Sequence, residues 1–227
     1  MRKKKNKIKK GLAIAGAVIL GLSGVTKLVK DNASEEHAAL AAANERYTSY
    51  LTQSTISLQL LLKEARANSA NNQTVGSSGR KNIDYTPLVK NTYGLAEQLQ
   101  ADYGRNFDEV SKLIDALPEH YADLRGQRDA AKPQVQQNQE KIAAFSGQEP
   151  NEAATVNKAT DLGETTLQLD MAAITLGDSA MSAAEETMQK QDKLIKFLGI
   201  AVDVLVPVAA VLGLVAAFWD VKFEGGD

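Results

Sequence analysis

Residues 194–219 read LIKFLGIAVDVLVPVAAVLGLVAAFW, an apolar run of about 26 residues. A helix needs ~20 such residues to cross the ~30 Å hydrocarbon core of a bilayer. The length therefore predicts a transmembrane helix over 195–219 rather than a core helix of a soluble protein. Phe197 stands at one end and Phe218 and Trp219 at the other, where interfacial aromatics concentrate. Pro207 lies inside the run and has no backbone N–H to give the helix, which predicts a kink there.

The other end of the chain has a matching segment. Arg2, Lys3, Lys4, Lys5, Lys7, Lys9 and Lys10 precede an apolar run from Gly11 to Val25. A cleaved signal peptide shares this layout, with Gly21-Leu22-Ser23 as its cleavage site. The apolar character continues past Lys27 through Leu28 and Val29, which favours a retained anchor over 11–29. Hydrophobic residues at 44% and charged residues at 24% conceal strong segregation: residues 1–30 carry +9, residues 31–194 carry −9 and residues 195–227 carry −2. Lys and Arg concentrate on the cytoplasmic side of membrane segments. The expected organisation is a basic cytoplasmic stretch (1–10), a first span (11–29), an extracytoplasmic helical domain (30–194), a second span (195–219) and a short cytoplasmic tail (220–227).

Two charges fall within the apolar segments, Lys27 and Asp203. Each lies 16 residues from its expected cytoplasmic end, at a depth of about 24 Å given ~1.5 Å per residue. Ionisable groups at membrane depth are costly and mark function. The expectation is a Lys27–Asp203 ion pair holding the two spans in register, set against each side chain reaching to the outer interface. Ala13, Ala17 and Gly21 recur at four-residue spacing, a face that admits close approach of the second span or of another copy.

The middle reads as all-α. Leu40, Tyr47, Leu51, Leu58, Leu61 and Ala65 recur at helical steps, and so do Leu88, Thr92, Leu95, Leu99, Tyr103, Val110, Leu113 and Leu117. A third stripe runs Tyr121, Leu124, Arg128, Ala131, Val135, Asn138, Ile142 and Phe145. A fourth runs Leu167, Met171, Ile174, Met181, Ala184, Met188 and Ile195, and it enters the second span without a breaker. Residues 68–84, with Asn71, Asn72, Gly76, Ser77, Ser78 and Gly79, read as a loop, and Thr86-Pro87 as an N-cap and first helical residue. A chain that leaves a membrane and returns to it needs an even number of antiparallel helices. Segment 87–146 must therefore fold back, at Pro118 in preference to Gly104. The expected fold is an antiparallel four-helix bundle flanked by two spans.

Chemistry is sparse. The absence of cysteine excludes disulfides, thiolate metal sites and a cysteine nucleophile. His120 with Glu119 and Asp123, or His37 alone, falls short of the three or four ligands a metal site needs. Gly76-Ser77-Ser78-Gly79-Arg80-Lys81 lacks phosphate-loop spacing. Asn32-Ala33-Ser34 and Asn72-Gln73-Thr74 are formal glycosylation sequons. Met171, Met181 and Met188 read as core filler. Arg128 and Asn138 interrupt the third stripe, either lining a polar pocket inside the bundle or forming structural pairs. No catalytic set, cofactor site or metal site is expected, and a domain of charge −9 repels nucleic acid.

By architecture alone, residues 11–219 resemble the extracytoplasmic module of bacterial four-helix-bundle sensors such as chemoreceptors and some sensor kinases. The resemblance implies a membrane-distal bundle whose last helix enters the second span. The chain departs from it in having about eight residues after that span, with no output domain of its own. The expected role is a non-enzymatic interaction or assembly subunit of a membrane complex, with a protein partner or further copies of itself in the membrane. The alternative is a small sensory subunit passing a helix shift to a membrane partner.

Overall fold

The computed structural model describes residues 2–77, 85–145 and 153–218. These form four helices, α1 (Arg2–Ser77), α2 (Thr86–Ala116), α3 (Ala122–Phe145) and α4 (Ala153–Phe218), with no strand among the described residues. Helix α1 runs through Asn71, Asn72 and Gly76 to Ser77, past the expected start of the loop at 68. None of these residues is a proline, and the cost of Asn, Ser or Gly in a helix interior is at most ~1 kcal/mol each. Residues 78–81 of the glycine-serine motif lie outside the described residues. Helix α2 starts one residue earlier than expected, with Tyr85 as its N-cap and Pro87 inside its first turn.

The chain reverses at residues 117–121, and α2 passes through Gly104 unbroken. Leu117 precedes Pro118 and is extended, at φ −72° and ψ 149°, as the residue before a proline prefers. Arg125 then donates to the carbonyls of Pro118, at 3.1 Å, and of Leu117. One guanidinium thus bridges the two carbonyls of the turn, and that of Pro118 also accepts from the Tyr121 N–H at 3.1 Å.

The chain divides into two compact units, Leu40–Glu186 and Met1–Ala39 with Thr187–Asp227. In the first, all four helices contribute to an antiparallel bundle. Tyr93 Oη donates to the carbonyl of Ile142 (3.2 Å) and Gln100 to that of Val135 (3.2 Å), which pairs α2 with α3. Tyr121 Oη reaches the carbonyl of Ala183 on α4 (3.3 Å), and Tyr50 Oη that of Asp102 on α2 (2.8 Å). Leu40, Tyr47, Tyr103, Val110, Leu113 and Ile114 are the large fully buried apolar side chains.

The fourth stripe departs from expectation at Met171, whereas its Leu167 and Ile174 pack against Leu95 and Leu99. Met171 is 59% exposed, while the buried line of α4 is Thr166, Asp170, Ala173, Leu176, Ala180 and Ala184. Small and polar residues occupy the centre because helices approach most closely there. The tightest place is Gly177, where a Cβ would fall on the hydroxyl and ring of Tyr47 from α1.

In the second unit the apolar ends of α1 and α4 pack together. A Cβ on Gly16 would meet Ala209, Leu212 and Gly213 at 3.7–3.8 Å, and the Lys30 ammonium lies beside Gly199. His37 Nε2 meets Asp192 at 3.3 Å. Ser23, Ala209 and Ala216 are buried. Ser23 and Thr26 return their hydroxyls to the carbonyls of Leu20 and Leu22, each at 2.8 Å, so no hydroxyl in this stretch needs water. Helical stretches within Lys10–Ser54 and Ala154–Ala217 are long and apolar enough to cross a membrane, and only 11% of each apolar window is buried. Helix α4 continues through Pro207.

Replacing Gly177 with alanine is expected to lower the stability of the bundle by about 1–3 kcal/mol, the usual cost of overpacking. Tyr47→Phe alone is expected to be neutral or stabilising, because the Tyr47 hydroxyl is buried without a partner. Urea denaturation followed by helical circular dichroism measures both.

Candidate functional site

Residue 170 on α4 and residue 106 on α2 lie on the inward faces of their helices. Asp170 and Asn106 are both 0% exposed. Asn106 Nδ2 donates to Asp170 Oδ1 at 2.7 Å and lies 3.5 Å from the main-chain carbonyl oxygen of the same residue. Two acceptors on one side of the amide fix its orientation: nitrogen toward Asp170, oxygen away from that carbonyl. Two oxygens remain without partners, Asp170 Oδ2 and Asn106 Oδ1.

A buried carboxylate with an unsatisfied oxygen is expensive. Burial pushes the Asp170 carboxyl above the usual carboxylate range; the Asn106 hydrogen bond opposes the rise, and the nearby charge of Asp102 adds to it. Protonation changes the chemistry of the pair. A neutral acid carries a hydroxyl donor on the oxygen that lacks a partner, and the amide beside it carries an acceptor that lacks one. Acid and amide then have complementary donors and acceptors.

Three tyrosines surround this level. Tyr47 and Tyr50 come from α1 and Tyr103 from α2, and the phenol of each is raised above its ordinary value, chiefly by burial and further by the charge on Asp170. They remain neutral over the physiological range. Asp102 and Arg105 on α2, joined by an ion pair, and Asp178 on α4 are the other charges acting on the cluster. From α3, Ala131 and Val135 pack against Tyr103, Phe107 and Ala173.

A second polar level lies next to it. Asn138 on α3, 2% exposed, donates to Gln100 Oε1 on α2 (2.6 Å) and to Thr166 Oγ1 on α4 (2.8 Å). Thr166 passes its own proton to the carbonyl of Leu162 (2.7 Å). One amide thus ties three helices together.

The residues singled out in the sequence have separate fates. Asn138 is a buried hub whose amide nitrogen donates to Gln100 and Thr166, while its Oδ1 is buried without a partner. Arg128 pairs with Asp115 and with Asp129. Burial works against its charge, and hydrogen bonds to Asp115 and Asp129 outweigh that and hold the guanidinium charged. Arg128 and Asn138 meet different neighbours and are not brought together. A groove of ≈ 590 Å³ between α2 and α3 is lined by Tyr93, Glu97, Gln100, Arg105 and Gln139 among others, and includes neither residue. The His120 ring lies tilted against that of Tyr121, with centroids 4.2 Å apart, and among the described residues no three potential metal ligands cluster.

Lys27 and Asp203 are both exposed, and among the described residues neither has a hydrogen-bond or ion-pair partner. The expected pair within one chain does not form, although the two are level. Stepping three residues back from Lys30 and three forward from Gly199 places Lys27 opposite Val202, beside Asp203. Ala13, Ala17 and Gly21 are exposed as well. The face that meets α4 carries Gly16 and Ser23 instead. Small-residue spacing alone cannot choose among faces, and here the choice falls to the helix phase that also brings Lys30 to Gly199 and His37 to Asp192.

No protein-family model, curated protein or solved structure matches the chain. Fold and site together define an all-α chain with a polar-centred bundle and two helices able to cross a membrane.

Because the Asp170 carboxyl binds its proton more tightly in the folded chain, its contribution to stability is full below the unfolded value of about 4 and is lost as pH rises through the raised folded value. Asp170→Asn keeps a neutral amide at every pH. The melting temperature of Asp170→Asn minus that of the wild type is therefore expected to increase from pH 4 to pH 8. A difference that stays constant across this range contradicts a raised carboxyl.

Proposed function

We propose that this protein is a non-enzymatic integral membrane protein that presents its helical bundle outside the cytoplasm as an interaction or assembly subunit of a membrane complex. The observation that carries this reading is the distribution of exposed apolar surface. Of the exposed large hydrophobic side chains among the described residues, all but Met171 lie between Ile14 and Val29 or between Leu194 and Val215. Water does not tolerate two such helices, whereas lipid or a membrane partner covers them. The bundle has the opposite character, with a polar exterior and a core tied by hydrogen bonds. Its centre is a structural lock rather than an open ligand cavity, which suits a domain that holds a surface in place.

The orientation follows from charge. The seven basic residues of 2–10 favour a cytoplasmic N-terminus, and two crossings return the chain to the same side. A sensory role is the second reading, favoured by Asp170. A buried carboxyl whose proton is coupled to helix packing gives the bundle two states of different stability.

The chain has no cysteine, so single cysteines report topology without background. Glu97→Cys, on the exposed side of α2, is expected to react with a membrane-impermeant maleimide in intact cells. Lys5→Cys is expected to react only after permeabilisation. Equal labelling of both, or release of the wild-type chain by alkaline carbonate, overturns the reading.

A further inference from the structure

The paired apolar ends of α1 and α4 carry two charges that the chain does not match with each other. Gly16 and Ala209 mark where the two helices face one another. At about 100° per residue around each helix, Ala13 and Ala17 turn about 60–100° to one side of Gly16 and Lys27 about 20° to the same side; Val206, Ala210 and Asp203 turn about 60–120° from Ala209 to that same flank. All six are exposed. One flank therefore presents a cation from α1 and a carboxyl from α4, at the same level along the helices, among small side chains.

Such a flank is complementary to itself. A two-fold axis along the membrane normal keeps every residue at its own depth. It places α1 of one copy against α4 of the other, and α4 against α1. Lys27 of each copy then stands opposite Asp203 of the other, forming two equivalent ion pairs. Ala17 and Ala210 face each other two to three turns away, where small residues let the backbones approach. The hydrocarbon of lipid offers neither charge a partner, whereas the facing copy offers one to each. The geometry points to a homodimer in the membrane, held by reciprocal Lys27–Asp203 pairs on this flank. The proposal rests on the membrane reading and names the first partner of the assembly role: a second copy of this chain.

The test co-expresses two full-length copies with different tags, one carrying Ala17→Cys and the other Ala210→Cys. The chain's own lack of cysteine means that only the introduced residues can cross-link. In washed membranes, mild oxidation is expected to give a disulfide joining the two tags. Lys27→Asp in both copies, or Asp203→Lys in both copies, is expected to abolish it. Lys27→Asp in one copy together with Asp203→Lys in the other is expected to restore it, since both pairs between copies are then again of opposite sign. Pairs within one chain predict the reverse for that mixture, because each chain then carries two like charges.

A mixture no better than the single reversals overturns the proposal. So does the absence of the tag-to-tag product in wild-type chains that resist alkaline extraction, an outcome that leaves the membrane reading standing. Extraction of the wild-type chains by alkali overturns both. Alkaline extraction of each variant, run in parallel, separates a lost dimer from a chain that fails to insert.

Discussion

A carboxyl group removed from water must be neutral or paired, and the bundle is arranged around this requirement at Asp170. The amide of Asn106 meets it from α2, and Tyr47 and Tyr50 of α1 and Tyr103 of α2 are near enough to feel its charge. The Asn138 hub imposes a second requirement of the same kind on α2, α3 and α4. A slip of one helical turn between any of these helices separates buried donors from acceptors, at about 1–3 kcal/mol for each group left unmatched. A slip between purely apolar faces costs contact quality alone. The polar levels therefore select one register among the many that a leucine- and alanine-lined bundle otherwise permits.

The apolar ends of α1 and α4 follow a different rule. Between helices in lipid there is no hydrophobic gain from association, so packing and polar matching decide which faces meet. Gly16, Ser23, Ala209 and Ala216 supply a close-packing line, and the hydroxyls near it are satisfied within their own helix. Toward the other end of this pairing, His37 and Asp192 are joined by a polar contact instead. This pairing leaves Lys27 and Asp203 on an outer flank, and that position gives the flank its chemical character.

Much of the architecture was legible from residue order, and the part that was not has a common cause. The third stripe, from Leu124 to Phe145, lies on the less exposed face of α3 throughout, because its period follows from helix geometry. The reversal at Pro118 was legible because proline restricts the residue before it and cannot continue the helix. On α4 the expected stripe held at Leu167 and Ile174, which pack against Leu95 and Leu99, and at Ala184, which is buried, and it failed at Met171, which is exposed. The deeper line through Thr166, Asp170, Ala173, Gly177 and Ala180 was passed over, because its alternation of four and three residues carried the signal in small and polar side chains. Asn106 fell between Tyr103 and Val110 at the same spacing and was passed over for the same reason.

Sequence by itself determined that the chain is helical, that it has apolar helical segments at both ends long enough to span a bilayer, and that its charge is divided sharply along its length. Period, length and charge are local properties, and each is decided by neighbours within a few turns. Only the tertiary structure decided that Asp170 sits beside Asn106, that Arg128 and Asn138 serve different partners, and that Gly16 rather than Ala13, Ala17 or Gly21 meets the other helix. Those outcomes depend on the rotation and register of one helix against another. Side chains distant in sequence determine these together, and no single stretch of the chain contains them.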